Sequence, residues 1–444
     1  MITESINKKI AELFDSTPDN VGVGLGNKIK NGEYTGEVCV VFTVDKKLPL
    51  SEIPQNQVLP TSVVIDGVTY KTDVFEVGVI NALTCPPNST GGTSWATACT
   101  VCNQCYDWYP ANQSSVVIPP NRSRVRPLQG GLSMTSNNNI NEIGTLGFFA
   151  KDASTGVLVG VTNAHVAIRD AFYTSERNLL GVIQNEMADN GLQPGAEVST
   201  PTSNDIIGQV VRYVPLYKTT TNIKNQVDAA LVAVNSASIR SIQNGTPTSA
   251  DSFNQIGLTG ITQPMYFAST SDIDSLLTTY SGAEIWSSGR STGPKQGPCG
   301  LKINSVNYSS IVSGYNLQGT ANNATFEQCI SFTRINPNCI YPIYPGDSGS
   351  ALIGYFPATP GGPNLVPKII GLCFAASDTL GLAVRIDKLT TALDIVWWNG
   401  LQPNFILPSS IKFVTVPNGS SNKTLSCSGQ TYWQVGLTNS SFYC

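Results

Sequence analysis

The chain contains a single histidine, His165, in the stretch VTNAHVA at the end of an apolar run. Imidazole is the side chain that most often serves as a general base at neutral pH, and no second imidazole competes for the role. A base implies a nucleophile, and Ser348 stands in YPGDSGSALIG, behind a tight glycine turn and ahead of an apolar strand. Gly346 and Gly349 flank Asp347-Ser348, and glycine suits a turn whose backbone N–H groups must converge on a developing oxyanion. The N–H groups of Gly346 and Ser348 are the candidates for that role. Gly-Asp-Ser-Gly is also ordinary turn composition, so the serine gains meaning only from its partners. The third group is Asp228 in NQVDAALVAV, a carboxylate leading directly into Ala, Leu and Val residues. Burying an unpaired charge is costly, and an imidazole Nδ1–H is its natural partner.

These groups need a scaffold that joins distant segments. Residues 1–84 read as a small α+β unit. Ile2, Ile6, Ile10 and Leu13 recur at helical spacing, VGVGLG and EVCVVFTV read as strands, and VVIDGVTY reads as a hairpin turning at Asp66-Gly67. The glycines of GVGLGNK do not have the G-x-G-x-x-G spacing and the helix precedes them, which argues against a dinucleotide loop. Residues 85–126 are rich in Pro, Ser, Asn and Thr, hold four cysteines and show no period, as in a linker or insertion. Residues 127–399 run strand after strand without intervening helices until KLTTALDIVWWNG, the pattern of a barrel or sandwich. Residues 400–444 form a short Ser/Asn-rich, β-like extension. The expected fold class is mainly β.

Composition narrows the partners. A net charge of −4 with only 13% charged residues, and no Lys/Arg cluster, disfavours a nucleic-acid surface. No apolar stretch reaches membrane-spanning length, and MITESINKKIAELF lacks the apolar core of a signal peptide, so a soluble, cytoplasmic chain is expected. Eleven cysteines, an odd number, leave the redox compartment open. Cys99, Cys102 and Cys105 in ACTVCNQC have metal-like spacing, but a structural zinc site needs a fourth ligand from Cys85 or a distant cysteine. Free thiols, or one disulfide and a spare, are the plain alternative, and no metal or cofactor is expected.

The order His165, Asp228, Ser348, in the contexts TNAHV, DAAL and GDSGS, resembles the chymotrypsin/trypsin-like serine proteases. SSGRSTGPKQG and IIGLCFAAS resemble that family's second-barrel opening strands and the strand lining its substrate cleft. With VGVGLGNK, CVVFTVDKKLP, RVRPLQGGLSM and GTLGFFAKD upstream, the chain resembles a bacterial and plant narrow-leaf-like group of trypsin-like peptidases in which a small α+β domain precedes the double β-barrel. The resemblance implies a double β-barrel over residues 127–399 and a serine endopeptidase acting on protein or peptide substrates, with His165 as base, Asp228 orienting it and Ser348 attacking. It also implies that Pro342 lies at the base of the primary pocket and that Phe374 and Ala376 line it. With no acid there, a small or apolar substrate side chain is expected. The intervals between the three motifs are long, implying inserted loops such as AFYTSERNLLGVIQNEMADNG, and the usual second glycine after the nucleophile is Ser350. Two further readings stay open: a protease that cuts only itself, for instance within 85–126, and a catalytically idle peptide-binding or scaffold protein.

Overall fold

The computed structural model describes residues 2–18, 21–30, 33–83, 120–137, 142–168, 171–172, 189–195, 202–235, 238, 255–259, 261, 265–317, 320–336, 339, 341–359, 362–398, 422–427 and 430–435. The chain opens with α1 (Glu4–Ser16), β1 (Gly22–Lys30), β2 (Glu33–Val44), β3 (Ser62–Ile65), β4 (Val68–Glu76) and the short β5 (Asn81–Ala82). Next come β6 (Leu132–Ser136), β7 (Gly144–Leu146), β8 (Phe148–Asp152), β9 (Leu158–Thr162), α2 (Ala164–Ala167), β10 (Asn190–Leu192), β11 (Ile206–Tyr213) and β12 (Ala230–Val234). A third group holds β13 (Tyr266–Phe267), α3 (Thr270–Ser275), β14 (Trp286–Gly289), β15 (Gly293–Lys295), β16 (Leu301–Leu317) and β17 (Thr320–Arg334). It continues with β18 (Ala351–Pro357), β19 (Leu365–Ala376), β20 (Gly381–Arg385), α4 (Ile386–Leu393) and β21 (Ile395–Trp397). A separate hairpin pairs β22 (Asn422–Cys427) with β23 (Gln430–Val435). Residues 85–119, including Cys99, Cys102 and Cys105, lie outside the described residues.

The architecture is mainly β, built on two large sheets. One runs β15-β14-β18-β19-β20-β17-β16-β1-β2-β4-β3, with β5 bonded to both β16 and β19. The other runs β21-β8-β9-β12-β11-β10-β6-β7. Strands β6, β9, β12 and β20 are buried along their whole length, whereas β3 alternates exposed and buried residues, and Phe326, Phe332, Phe356, Phe374 and Phe148 are fully or nearly fully buried.

The amino-terminal elements share the first sheet instead of standing apart from it. Antiparallel pairing of β1 with β16 sets Val23 opposite Ser309 and Leu25 opposite Asn307. The glycines of VGVGLG make this approach possible. A Cβ at Gly22 would collide with the Tyr308 hydroxyl, one at Gly24 with the Ser305 hydroxyl, and one at Gly26 with the Asn304 carbonyl. Those glycines therefore serve strand packing. α1, capped by the Thr3 hydroxyl accepting from the Ile6 N–H, turns Ile6, Ile10 and Phe14 into the core and packs on β1 and β16. Burying these three side chains contributes roughly 1.5–3 kcal/mol each. The β3–β4 hairpin turns at Asp66 (φ 51°) and Gly67 (φ 77°), both left-handed as a two-residue turn of this type requires.

Candidate functional site

Strand pairing brings the first two groups together. In the β9–β12 ladder Ala230 lies opposite Thr162. His165, on the short α2 just after β9, and Asp228, just before β12, therefore leave the same end of these adjacent strands. The His165 Nδ1 is 2.6 Å from Asp228 Oδ2. Asp228 is fully buried, and hydrogen bonds compensate its charge on every side. Its Oδ1 accepts from the Ala164 N–H at 2.8 Å and the His165 N–H at 3.3 Å, and its Oδ2 accepts from the Tyr315 hydroxyl at 3.1 Å. The Asn163 amide donates to its main-chain carbonyl at 2.6 Å. With the Nδ1–H donated to the carboxylate, Nε2 is the acceptor, and it lies 2.8 Å from Ser348 Oγ.

Ser348 sits where the two sheets meet. The Thr145 N–H of β7 donates to the Ser348 carbonyl (2.7 Å), and the Thr145 hydroxyl donates to the Gly346 carbonyl (2.8 Å). From the other sheet, the Gly349 N–H donates to the Cys373 carbonyl and the Cys373 N–H to the Ser350 carbonyl, both at 2.8 Å. Gly346 (φ 98°) and Gly349 (φ 92°) adopt backbone angles that residues with a Cβ rarely reach. Asp347 points away from the serine and is fully buried. Its Oδ1 accepts from the N–H groups of Ser291 (2.7 Å) and Thr292 (3.0 Å), and its Oδ2 from that of Tyr344 (2.9 Å). Burial raises its pKa, and these hydrogen bonds oppose the shift.

The chain's own strand β5 lies against this centre. The Leu83 carbonyl accepts from the Gly346 N–H at 3.1 Å, and its oxygen lies 3.2 Å from Ser348 Oγ. The Leu83 N–H donates to the Phe374 carbonyl at 3.2 Å. Phe374 and Ala376 meet this segment through their backbone: Ala376 is opposite Asn81, while the Phe374 ring packs on Phe326 with centroids 4.5 Å apart. Pro342 is buried in the loop leading to Ser348.

The spacing of the motifs gave no sign of three further groups: Leu83, Tyr315 and Glu142. Tyr315 lies edge-on to the His165 ring, with centroids 5.5 Å apart. Burial first, and the Asp228 charge second, hold its pKa well above the usual phenol value, so it remains a proton donor to Asp228. Glu142, just ahead of β7, is within electrostatic reach of His165. Burial pushes its carboxyl up to about 7, with His165 pulling the other way. Its carboxyl in the folded chain holds a proton that the unfolded chain gives up near pH 4.5. Stability from this group is therefore full below about pH 4.5 and declines as pH rises to about 7, by at most about 3 kcal/mol. Glu142→Gln should remove that decline. Chemical denaturation of both proteins at pH 4.5 and 7.5 checks this: the wild type should lose more stability across the interval than the variant.

Among the described residues, no three His, Cys, Asp or Glu side chains cluster as metal ligands, and no helix is long and apolar enough to cross a membrane. No protein-family model matches the chain, and no curated protein matches it. Solved structures similar to it include a glutamic-acid-specific serine protease that uses a histidine triad in substrate binding. That match has 14% identity and a TM-score of 0.33, and covers 61% of this chain and all of the other. Thermobifida fusca Protease A (14% identity, TM-score 0.29) and Cellulomonas bogoriensis chymotrypsin (13%, 0.29) each match over 61% of this chain and 98% of their own.

Proposed function

We propose that the protein is a serine endopeptidase with a chymotrypsin-like double β-barrel, hydrolysing peptide bonds through an acyl-enzyme on Ser348. The observation that carries this reading is the continuous hydrogen-bonded line Asp228–His165–Ser348, at 2.6 and 2.8 Å, ending beside a backbone N–H already directed at a carbonyl oxygen. His165 Nε2 takes the Ser348 proton as Oγ attacks the substrate carbonyl carbon, and later gives it to the leaving amine. Asp228 holds the imidazole in the tautomer with Nδ1 protonated and stabilises the imidazolium that forms. The N–H groups of Gly346 and Ser348 receive the oxyanion. No cofactor takes part in these steps.

A serine-directed fluorophosphonate, read by intact mass, tests the assignment. The wild type should gain one adduct per chain, and Ser348→Ala and His165→Ala should gain none. An adduct that persists on Ser348→Ala would assign the nucleophile elsewhere.

A further inference from the structure

We propose that the Leu83–Thr84 bond is this protein's own cleavage site, and that residues up to Leu83 remain docked afterwards as an occupant of the cleft. The inference deepens the endopeptidase reading and rests on it. Residues 80–83 are held as a bound peptide would be. On one side the Ser313 N–H of β16 donates to the Ile80 carbonyl at 2.9 Å. On the other, Asn81 and Ala82 pair antiparallel with Ala376 and Ala375 of β19. Adding an extended segment to a sheet in this way recognises main chain, independent of most side chains. The ladder ends with the Leu83 N–H on the Phe374 carbonyl, and the next carbonyl, that of Leu83, faces both the Gly346 N–H and Ser348 Oγ.

A strand serving only to fill space would need a donor for that carbonyl. It would not need the donor to be the glycine amide beside a serine whose Oγ is itself bonded to the sole imidazole. The Leu83 carbonyl carbon lies one C=O bond, about 1.2 Å, from the oxygen that Ser348 Oγ approaches to 3.2 Å. The Leu83 side chain is 3% exposed, so an apolar residue donates the carbonyl from an enclosed position.

The step balances with one water. The Ser348 Oγ–H proton moves to His165 Nε2 as Oγ bonds to the Leu83 carbonyl carbon. The carbon–nitrogen bond to Thr84 then breaks, and His165 returns the proton to the departing amine. Water next attacks the Leu83–Ser348 ester, His165 taking its proton. The ester bond breaks, Oγ recovers a proton and Leu83 leaves as a carboxylic acid that ionises. Contacts elsewhere hold the released segment in place: the β1–β16 ladder, the Lys224–Asp15 ion pair at 2.6 Å, the Asn307 amide on Asn7 at 2.6 Å, and the Tyr34 hydroxyl on the Ile303 carbonyl at 2.7 Å. The new terminus thus stays in the cleft and competes with external peptides.

Intact mass and amino-terminal sequencing of the purified full chain, beside Ser348→Ala and Leu83→Pro, test this. The wild type should give two chains, the second beginning at Thr84, while both variants stay whole. Proline lacks the N–H that Leu83 donates to Phe374, so it loosens the segment without touching the nucleophile. Cleavage at another bond, or at Leu83–Thr84 in Ser348→Ala as well, would overturn the proposal. A whole wild-type chain with a fluorophosphonate adduct on Ser348 would also overturn it, leaving the endopeptidase reading intact. A whole wild type, with no adduct on it or on folded Leu83→Pro, would remove both.

Discussion

Asp228→Asn should lower kcat for peptide hydrolysis by about 10⁴-fold near neutral pH while the fold persists. The size of the loss follows from how completely Asp228 is committed. Oδ2 faces His165 Nδ1 at 2.6 Å and also accepts the Tyr315 hydroxyl. The Ala164 and His165 N–H groups at Oδ1 can only donate, whereas the Tyr315 hydroxyl at Oδ2 can turn to accept, so an asparagine will place its carbonyl oxygen toward those two amides and its NH₂ group at the Oδ2 position. Its NH₂ group then meets Nδ1, which must accept, and the imidazole proton moves to Nε2, where it can no longer take one from Ser348. Geometry barely changes, but the acceptor and donor ends of the ring exchange. Steady-state kinetics of wild type and variant check this, with circular dichroism confirming the fold. A loss below about tenfold would mean that His165 keeps its tautomer without Asp228. Tyr315→Phe is an informative companion, because it deletes one hydrogen bond to Oδ2 and leaves the tautomer unchanged.

The reach of the sequence can be judged from these same residues. Asp228 was legible because a carboxylate heading AALVAV, a fully buried strand, has to find a partner. The antiparallel register of β9 and β12 then brings both His165 and Asp228 to one end of the sheet. The strand glycines at 22, 24 and 26 lack the spacing of a dinucleotide loop, but their packing role, close contact with β16, depended on a partner nearly 300 residues away. Tyr315 was not legible for a related reason. It lies on a 17-residue strand whose register against β17 shifts four times, once between Val312 and Tyr315. Each irregularity resets which face a residue occupies, so alternation along the sequence no longer predicts that its hydroxyl reaches Asp228. Leu83 was invisible for a different reason. A peptide held by its backbone carries no side-chain signature, and INALT resembles any other short apolar stretch.

One consequence joins the two halves of the chain. The site draws His165 and Asp228 from the second sheet, and Ser348 and Tyr315 from the first sheet and its loops. The first sheet in turn continues through β16 into the amino-terminal strands β1 and β2. Residues 1–83 therefore join this sheet through β1, paired with β16 over residues 305–309, and reach the site through β5, bonded to β16 at Ser313. Loss of the amino-terminal segment would uncover one edge of β16 as well as opening the cleft.

A single methyl group at the junction between the sheets should also displace the nucleophile. Gly349→Ala adds a Cβ that would overlap the Thr145 carbonyl oxygen and crowd the Thr162 hydroxyl, at a backbone φ of 92°. Neither obstacle is a flexible side-chain end: Thr145 is fixed by its own N–H donation to the Ser348 carbonyl, and Thr162 Oγ1 is bonded to the Thr145 carbonyl at 2.8 Å. The loop must yield, and the loop carries the nucleophile. We expect a stability loss of about 2–4 kcal/mol from strain and collision together. Displacing Ser348 by even an ångström should cost about 10²-fold in kcat/KM. Gly156→Ala separates the two causes, because Gly156 has φ 71° but no atom within 4 Å of the added Cβ. That variant should lose about 1 kcal/mol and keep its activity. Thermal unfolding and peptide hydrolysis on both proteins decide the matter. Equal behaviour of the two alanine variants would show that backbone strain alone, and not the approach of Thr145, limits position 349.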